Sequence, residues 1–291
     1  MSRKDWLLLF ALSVPWGCSF LFFKVLAQQL PPLTTALGRV SIGAAALALG
    51  LALAGQSVWS IRAHWRGLLA LGLLNNAVPF TLFTLGERTV SSGTAAIYNA
   101  LSPILTVLVL RVVDGVKLGW MRGLGVLTGF AGVVVLVGFG GNEDLGGQAA
   151  CFGAALCYGL STPVMARLRR LPPLLVASGQ LIASTILLAP FAAVVDRPWT
   201  LPGLDAAGWA ALLGLALFST ALAYAMYFKL ISSAGPANAM LVTFLLPVTA
   251  LIVGNLILGE PVTLRAVLGM GVILLGLALL DGRWQRMVRP A

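Results

Sequence analysis

PPLTTALGR, from Pro31 to Arg39, returns as PPLLVASGQ, from Pro172 to Gln180. The two runs agree at Pro31/Pro172, Pro32/Pro173, Leu33/Leu174, Ala36/Ala177 and Gly38/Gly179. A shift of 144 residues then aligns Ala77 with Ala221, Pro103 with Pro247, Gly115 with Gly259, Gly125 with Gly269 and Gly132 with Gly276. The repeat therefore spans most of each half, and it divides the chain into residues 1–141 and 142–291.

What each half is made of follows from the solvent it requires. Apolar residues make up 59% of the 291, and charged residues only 10%, against roughly 25% charged in an ordinary soluble domain. A hydrocarbon core about 30 Å thick takes roughly 20 apolar residues per helical crossing. Ten runs of that kind are present, near 6–27, 33–54, 66–86, 91–111, 120–138, 147–167, 173–195, 207–230, 236–258 and 263–281. The runs are continuous rather than alternating, which favours helices over barrel strands. The first run, of about 22 residues, exceeds the roughly 7 to 15 of a signal-peptide core and is expected to stay as a helix. The fold expected is an all-α membrane protein of ten transmembrane helices.

The net charge of +10 would suit nucleic acid, but its distribution reads differently. Fourteen of the nineteen Lys and Arg residues fall at the ends shared with the N-terminus: Arg3, Lys4, Arg62, Arg66, Arg111, Lys117, Arg122, Arg167, Arg169, Arg170, Lys229, Arg283, Arg286 and Arg289. Arg88, Arg197 and Arg265 lie on the other side, with Lys24 and Arg39 inside spans. This bias sets both termini in the cytoplasm. Five helices per half is an odd number, so the second half enters the membrane from the opposite side and the two five-helix repeats are inverted. Such bundles are a scaffold for alternating access about a site near the midplane. No nucleic-acid partner is expected, only the bilayer and a small molecule.

The motifs agree with that architecture. They are Trp16-Gly17-Cys18-Ser19-Phe20, Arg39 and Tyr98-Asn99-Ala100-Leu101-Ser102-Pro103 in the first half. In the second they are Tyr158-Gly159-Leu160-Ser161, Leu246-Pro247 and Leu258-Gly259-Glu260-Pro261. In order and spacing the chain resembles the drug/metabolite transporter superfamily, specifically the bacterial ten-helix type with two EamA domains. One departure is Val113-Asp114-Gly115-Val116, where the family pattern has a Gly-Glu pair like Gly259-Glu260. The resemblance implies export or exchange of small metabolites, often amino acids, at a bacterial inner membrane.

Polar side chains in hydrocarbon mark helix contacts or a pathway. Asn75, Asn76, Phe80, Tyr98, Asn99, Tyr158, Ser161, Thr162, Ser219, Thr220, Tyr224, Tyr227, Asn238 and Thr243 all lie in spans. The binding set expected is Trp16, Asn76, Phe80, Tyr98, Asn99, Tyr158, Ser161, Tyr224, Tyr227 and Thr243. Pro79, Pro103, Pro163 and Pro247 each remove an N–H and are expected hinges. Arg39 has three readings: a grip on a substrate carboxylate, a pair with Glu87, or snorkelling to the headgroups, the last shared with Lys24. Aromatic and amide groups with little fixed charge suit an amino acid with a hydrophobic or aromatic side chain. A nucleotide-sugar or phosphate-ester carrier would want several cavity cations, and a multidrug exporter of lipophilic cations an embedded carboxylate.

The remaining features bound the function. The nine acidic residues fall in loops or at span ends and the one histidine, His64, in a loop, so flux is expected to follow the substrate gradient without obligatory proton coupling. No His/Asp/Glu cluster falls inside a span, which argues against a membrane-embedded enzyme. Neither metal nor cofactor is expected. Cys18, Cys151 and Cys157 have no metal or redox spacing and read as small packing residues. Gly125 with Gly132 and Gly269 with Gly276 repeat at seven, spacing that brings helices close together, for packing within the bundle or for a weak homodimer.

Overall fold

Backbone amides in hydrocarbon have no water to bond, so a spanning chain must satisfy them within helices. The computed structural model describes residues 1–113, 115, 119–137 and 144–281, and these form ten helical rods without a strand. Asp114, Lys117, Glu143, Arg283, Arg286, Arg289 and the 141/142 boundary lie outside the described residues. The rods are α1 (Arg3–Ala27), α2 (Pro32–Leu53), α3 (Val58–Gly86), α4 (Ser92–Val113), α5 (Trp120–Val137), α6 (Leu145–Arg167), α7 (Pro173–Asp196), α8 (Ala206–Ala234), α9 (Pro236–Ala239 with Val242–Leu258) and α10 (Leu264–Asp281). Seven are long and apolar enough to cross a membrane; α5, α10 and the main segment of α9 are shorter apolar helices. The sequence-derived boundaries agree to within a few residues, except that α3 starts earlier, with a 3₁₀ stretch at Val58–His64.

Packing mixes the halves. α1 lies along α9 and α8, while α6 lies along α4 and α3; α2 pairs with α7, and α5 with α10. Exchanging each helix with its repeat equivalent returns the same set of pairs. The α5–α10 pair uses the seven-spaced glycines against each other. A Cβ at Gly276 would sit 2.6 Å from Gly129 N and 2.7 Å from Gly125 O, and one at Gly132 2.8 Å from Ile273 N. These glycines are consumed by a contact inside the chain.

Irregular backbone occurs at matched depths. α3 is a π-helix over Gly72–Ala77 and α8 over Gly214–Leu222, and the 144-residue shift superposes the two. π-turns free carbonyls from the α ladder, and hydroxyls take them up: Ser184 Oγ donates to Gly72 O at 2.9 Å, and Thr220 Oγ1 to Leu215 O at 2.8 Å. Of the expected hinges, Pro79 follows the α3 π-turn directly. Pro103 follows a break in α4 at Ala100–Leu101, where Ser102 Oγ donates to the Asn99 carbonyl at 2.7 Å. That carbonyl would otherwise meet the N–H that Pro103 lacks. Pro163 and Pro247 sit inside continuous helices.

Two polar sets mark the ends of the bundle. At the N-terminal face Ser233 Oγ donates to Asp5 Oδ1 at 2.7 Å, joining α8 to α1. At the opposite face Asp196 accepts from Thr34 N and Oγ1, and Glu260 accepts from Ser92 N and Oγ. Each carboxylate there meets the first turn of a helix from the other half, where the dipole favours negative charge. Gly259, in the left-handed region at φ 66, turns the chain so that Glu260 folds back. Gly254 leaves the room, since a Cβ there would stand 2.7 Å from Glu260 Oε2.

Candidate functional site

The two π-turns face each other's half, and a polar cluster is built between them. In the first half, Arg39 of α2 points its guanidinium across to α8, where Nε donates to Thr220 Oγ1 at 2.9 Å. Its carbon lies 3.7 Å from the centre of the Phe80 ring and 5.0 Å from that of Phe23. In the second half, Gln180 of α7 points across to α3, where its Oε1 accepts from Asn75 Nδ2 at 3.3 Å. Gln180 Nε2 donates to Tyr224 OH at 3.4 Å. Tyr224 is the repeat equivalent of Phe80, and Thr220 of Asn76. Arg39 and Gln180, aligned by the repeated run, thus each reach a polar side chain of the other half, Arg39 at Thr220 and Gln180 at Asn75, one position before the residue that the repeat equates with Thr220.

The network continues from there. Tyr224 OH donates to Asn76 Oδ1 at 3.4 Å, Asn76 Nδ2 to Ser184 Oγ at 3.2 Å, and Ser161 Oγ to Asn75 Oδ1 at 3.4 Å. Ser219 Oγ bonds the Pro15 carbonyl of α1. Tyr158 approaches on the α6 side, its ring 6.2 Å from Phe83, which in turn contacts Phe20 and Phe23. Below, toward the N-terminal face, Trp16 and Tyr227 have ring centres 5.0 Å apart, and Tyr227 continues to Phe228 and Tyr224.

Of the three readings of Arg39, the structure realises neither pairing with Glu87 nor snorkelling. Its side chain is buried, 6% exposed, and both Glu87 carboxyl oxygens lack any hydrogen-bond partner among the described residues. Nε makes its one hydrogen bond to a neutral hydroxyl, and the two Nη atoms bond no described residue. A buried permanent cation without an acidic partner is costly, and ring faces compensate only in part, by about 2 kcal/mol when desolvated. Lys24 does not snorkel either: Nζ donates to the carbonyls of Glu87 and Val90, at 2.8 and 2.7 Å, closing the C-terminal end of α3.

Phe80 is therefore brought onto Arg39, while Asn76, Ser161 and Tyr224 share the hydrogen-bonded network of Gln180 and Asn75, with Tyr158, Trp16 and Tyr227 adjoining through ring contacts. Tyr98 and Thr243 hydrogen-bond outside this network, and Asn99 enters it by no hydrogen bond among the described residues. Tyr98 is buried and donates its hydroxyl to Gln148 of α6 at 2.8 Å. Asn99 ends the first segment of α4, its carbonyl held by Ser102. Thr243 Oγ1 returns to the Met240 carbonyl at the start of the main α9 segment. The binding set expected from sequence omitted Asn75, Gln180, Ser184, Thr220 and Phe23. Gln180 carried a usable signal, its place opposite Arg39 in the repeat; Phe23 and Ser184 carried none.

Comparison with known proteins places this arrangement in a family. The EamA-like transporter family matches residues 4–138 and again residues 145–280. An uncharacterized transporter of Archaeoglobus fulgidus is 28% identical over 283 residues, covering 94% of this chain and 97% of its own. The uncharacterized inner membrane transporter YedA of Escherichia coli K12 is 28% identical, covering 93% of this chain and 88% of its own. A probable terminal-alkyne amino-acid exporter of Streptantibioticus cattleyicolor is 26% identical across 97% of this chain and 95% of its own. A solved crystal structure shares the fold with a TM-score of 0.67, at 21% identity over 96% of this chain and 98% of its own. With both halves matched, the chain belongs to the EamA-like transporter family, within the drug/metabolite transporter superfamily.

Proposed function

We propose that this membrane transporter exports or exchanges amino acids with hydrophobic or aromatic side chains at a bacterial inner membrane, and that Arg39 receives the substrate carboxylate. The observation that carries the reading is the buried guanidinium whose two Nη atoms have neither a hydrogen bond nor an acidic partner among the described residues. A carboxylate is the complementary ligand: it supplies the missing counter-charge and accepts two parallel hydrogen bonds. Phe80, Phe23, Tyr158 and Tyr224 border that point, and Trp16 with Tyr227 offers an apolar, aromatic wall for a side chain. Asn75, Asn76, Gln180 and Ser161 are neutral acceptors within the same network, suited to an ammonium. The amino-acid exporter among the relatives is in keeping with this class.

The same reading takes residues 1–141 and 142–291 as inverted five-helix repeats, all ten rods as membrane-crossing and both termini as cytoplasmic. The two halves alternate access around the cluster, with the π-turns and the α4 break as the joints. The exchange symmetry of the helix pairs and the crossed Arg39 and Gln180 contacts support it. Flux follows the substrate gradient, since no carboxylate lies in the cluster itself.

The test is counterflow uptake in proteoliposomes with no ion gradient, using radiolabelled leucine, phenylalanine, a sugar phosphate and a lipophilic cation. Uptake of the amino acids alone upholds the assignment. Uptake confined to the sugar phosphate or the cation overturns it.

A further inference from the structure

Glu87 stands just past the end of α3, beyond the spanning segment, and its side chain is 0% exposed. Neither carboxyl oxygen has a hydrogen-bond partner among the described residues. An ionised carboxylate in such a place is very costly, because nothing replaces its lost water. Three charged groups face it from the surrounding elements: Glu260 from the α9–α10 turn, Lys24 from α1 and Arg39 from α2. None relieves it by contact. Lys24 Nζ bonds the Glu87 backbone carbonyl and that of Val90, Arg39 Nε bonds Thr220, and Glu260 is held by Ser92. Burial, reinforced by the like charge of Glu260 and opposed by Lys24 and then Arg39, holds the Glu87 carboxyl well above the usual carboxylate range.

The elements around Glu87 are tied to one another. Lys24 ties α1 to the end of α3, and five residues beyond Glu87, Glu260 ties the α9–α10 turn to Ser92 at the start of α4. Arg88, next in the chain, reaches the Leu30 carbonyl at the end of α1. On the alternating-access reading given above, opening this face, opposite the N-terminus, parts these contacts and admits water to Glu87.

We propose that Glu87 is a proton-binding site that latches the face of the transporter opposite its N-terminus: the side chain carries a proton whenever that face is closed and gives it up to water when the face opens. The step is a plain acid dissociation, the carboxylic acid yielding a carboxylate and a proton to bulk water, and it reverses on closure. The sign follows from the linkage. The closed form binds the proton more tightly than the open, hydrated form, whose pKa is near the ordinary value of about 4.3. Low pH therefore favours closure. As pH rises above that value the closed form is disfavoured by up to tenfold per pH unit, until it passes the closed form's own raised pKa. Under the orientation proposed above this is the external face, so the proton enters and leaves from outside and none is carried across.

The test uses the full chain in lipid nanodiscs, where both faces meet the same pH and no substrate is needed. Infrared titration reads protonation; spin labels at Thr89→Cys and Val262→Cys, both exposed and neither one of the ties named above, in a background with its three cysteines replaced by alanine, read the gate. The expected result is a protonated-carboxyl band at pH 7 that is absent in Glu87→Gln. With it, the longer spin–spin distance gains population as pH rises in the wild type, while Glu87→Gln stays closed throughout. If Glu87→Gln does not assemble, Glu87→Asp must shift the band and retain the pH response. No Glu87 band at pH 7, or a distance equally insensitive to pH in wild type and variant, overturns the proposal. Failure of amino-acid counterflow leaves both readouts unaffected, so the two readings fail separately.

Discussion

Replacing Arg39 by Gln copies into the first half the residue that the second half already carries at Gln180. Two charge-assisted hydrogen bonds from the Nη atoms to a carboxylate are each worth about 1.5–3 kcal/mol, and losing one partner of a buried charge pair costs about 2–5 kcal/mol. Taking about 3 kcal/mol, the half-saturating concentration for an amino acid should rise roughly a hundredfold. Protein without substrate should tolerate the change. The variant forfeits the ring contacts of Phe80 and Phe23, about 2 kcal/mol, but also removes a buried cation whose cost those contacts offset only in part. Its thermal midpoint should therefore stay within a few degrees of wild type. The assay is counterflow of phenylalanine against that of phenethylamine, which lacks the carboxylate, in wild type and Arg39→Gln. Loss confined to phenylalanine marks direct contact, because removing either partner abolishes the same interaction. Equal loss for both compounds, or undiminished phenylalanine exchange, would refute the role given to Arg39.

Gly276→Ala should force α10 away from α5, since the added methyl meets backbone at 2.6 and 2.7 Å; a loss of about 1–3 kcal/mol should appear in thermal unfolding, whereas Gly271→Ala, with open space around it, should match wild type. Gln180→Leu leaves Asn75 and Tyr224 without their shared partner and should lower counterflow by about 1–3 kcal/mol in apparent affinity, with unchanged yield. Tyr98→Phe removes the hydroxyl that donates to Gln148 in the α4–α6 contact and should lower the thermal midpoint while leaving substrate affinity alone. An altered affinity with an unchanged midpoint would return Tyr98 to the binding site. Glu260→Gln weakens the tie to Ser92 and should raise the open population of that face in the same spin-label measurement used for Glu87.

Most of the architecture was legible because hydrocarbon imposes a length and composition on each helix, and the repeat of PPLTTALGR tied the halves together. The joints were half legible. Pro79 and Pro103 marked a π-turn and a helix break, but Pro163 and Pro247 look the same in sequence and lie in unbroken helices, because neighbouring helices decide whether a missing N–H is felt. The π-helix of α8 has no proline to announce it. Within the cluster, residue type identified Asn76, Phe80, Ser161 and Tyr224. Type also suggested Tyr98, whose hydroxyl instead serves a partner fifty residues on, a distinction that depends on the angle between two helices. Glu87 was the least legible: as a charged residue at a span end it reads as a candidate partner for Arg39, whereas the fold buries it without that pairing.

The glycine seam between α5 and α10 bears on how such a chain arises. Each half ends in a helix with the same small-residue spacing, and the two meet as equivalents, the arrangement of a self-complementary dimer interface. A half-length protein with one such helix would have found its partner in a second copy of itself. Duplication then converts an association that depends on concentration into one that is built into the chain. It also frees the two sides to diverge, one keeping an arginine and the other a glutamine.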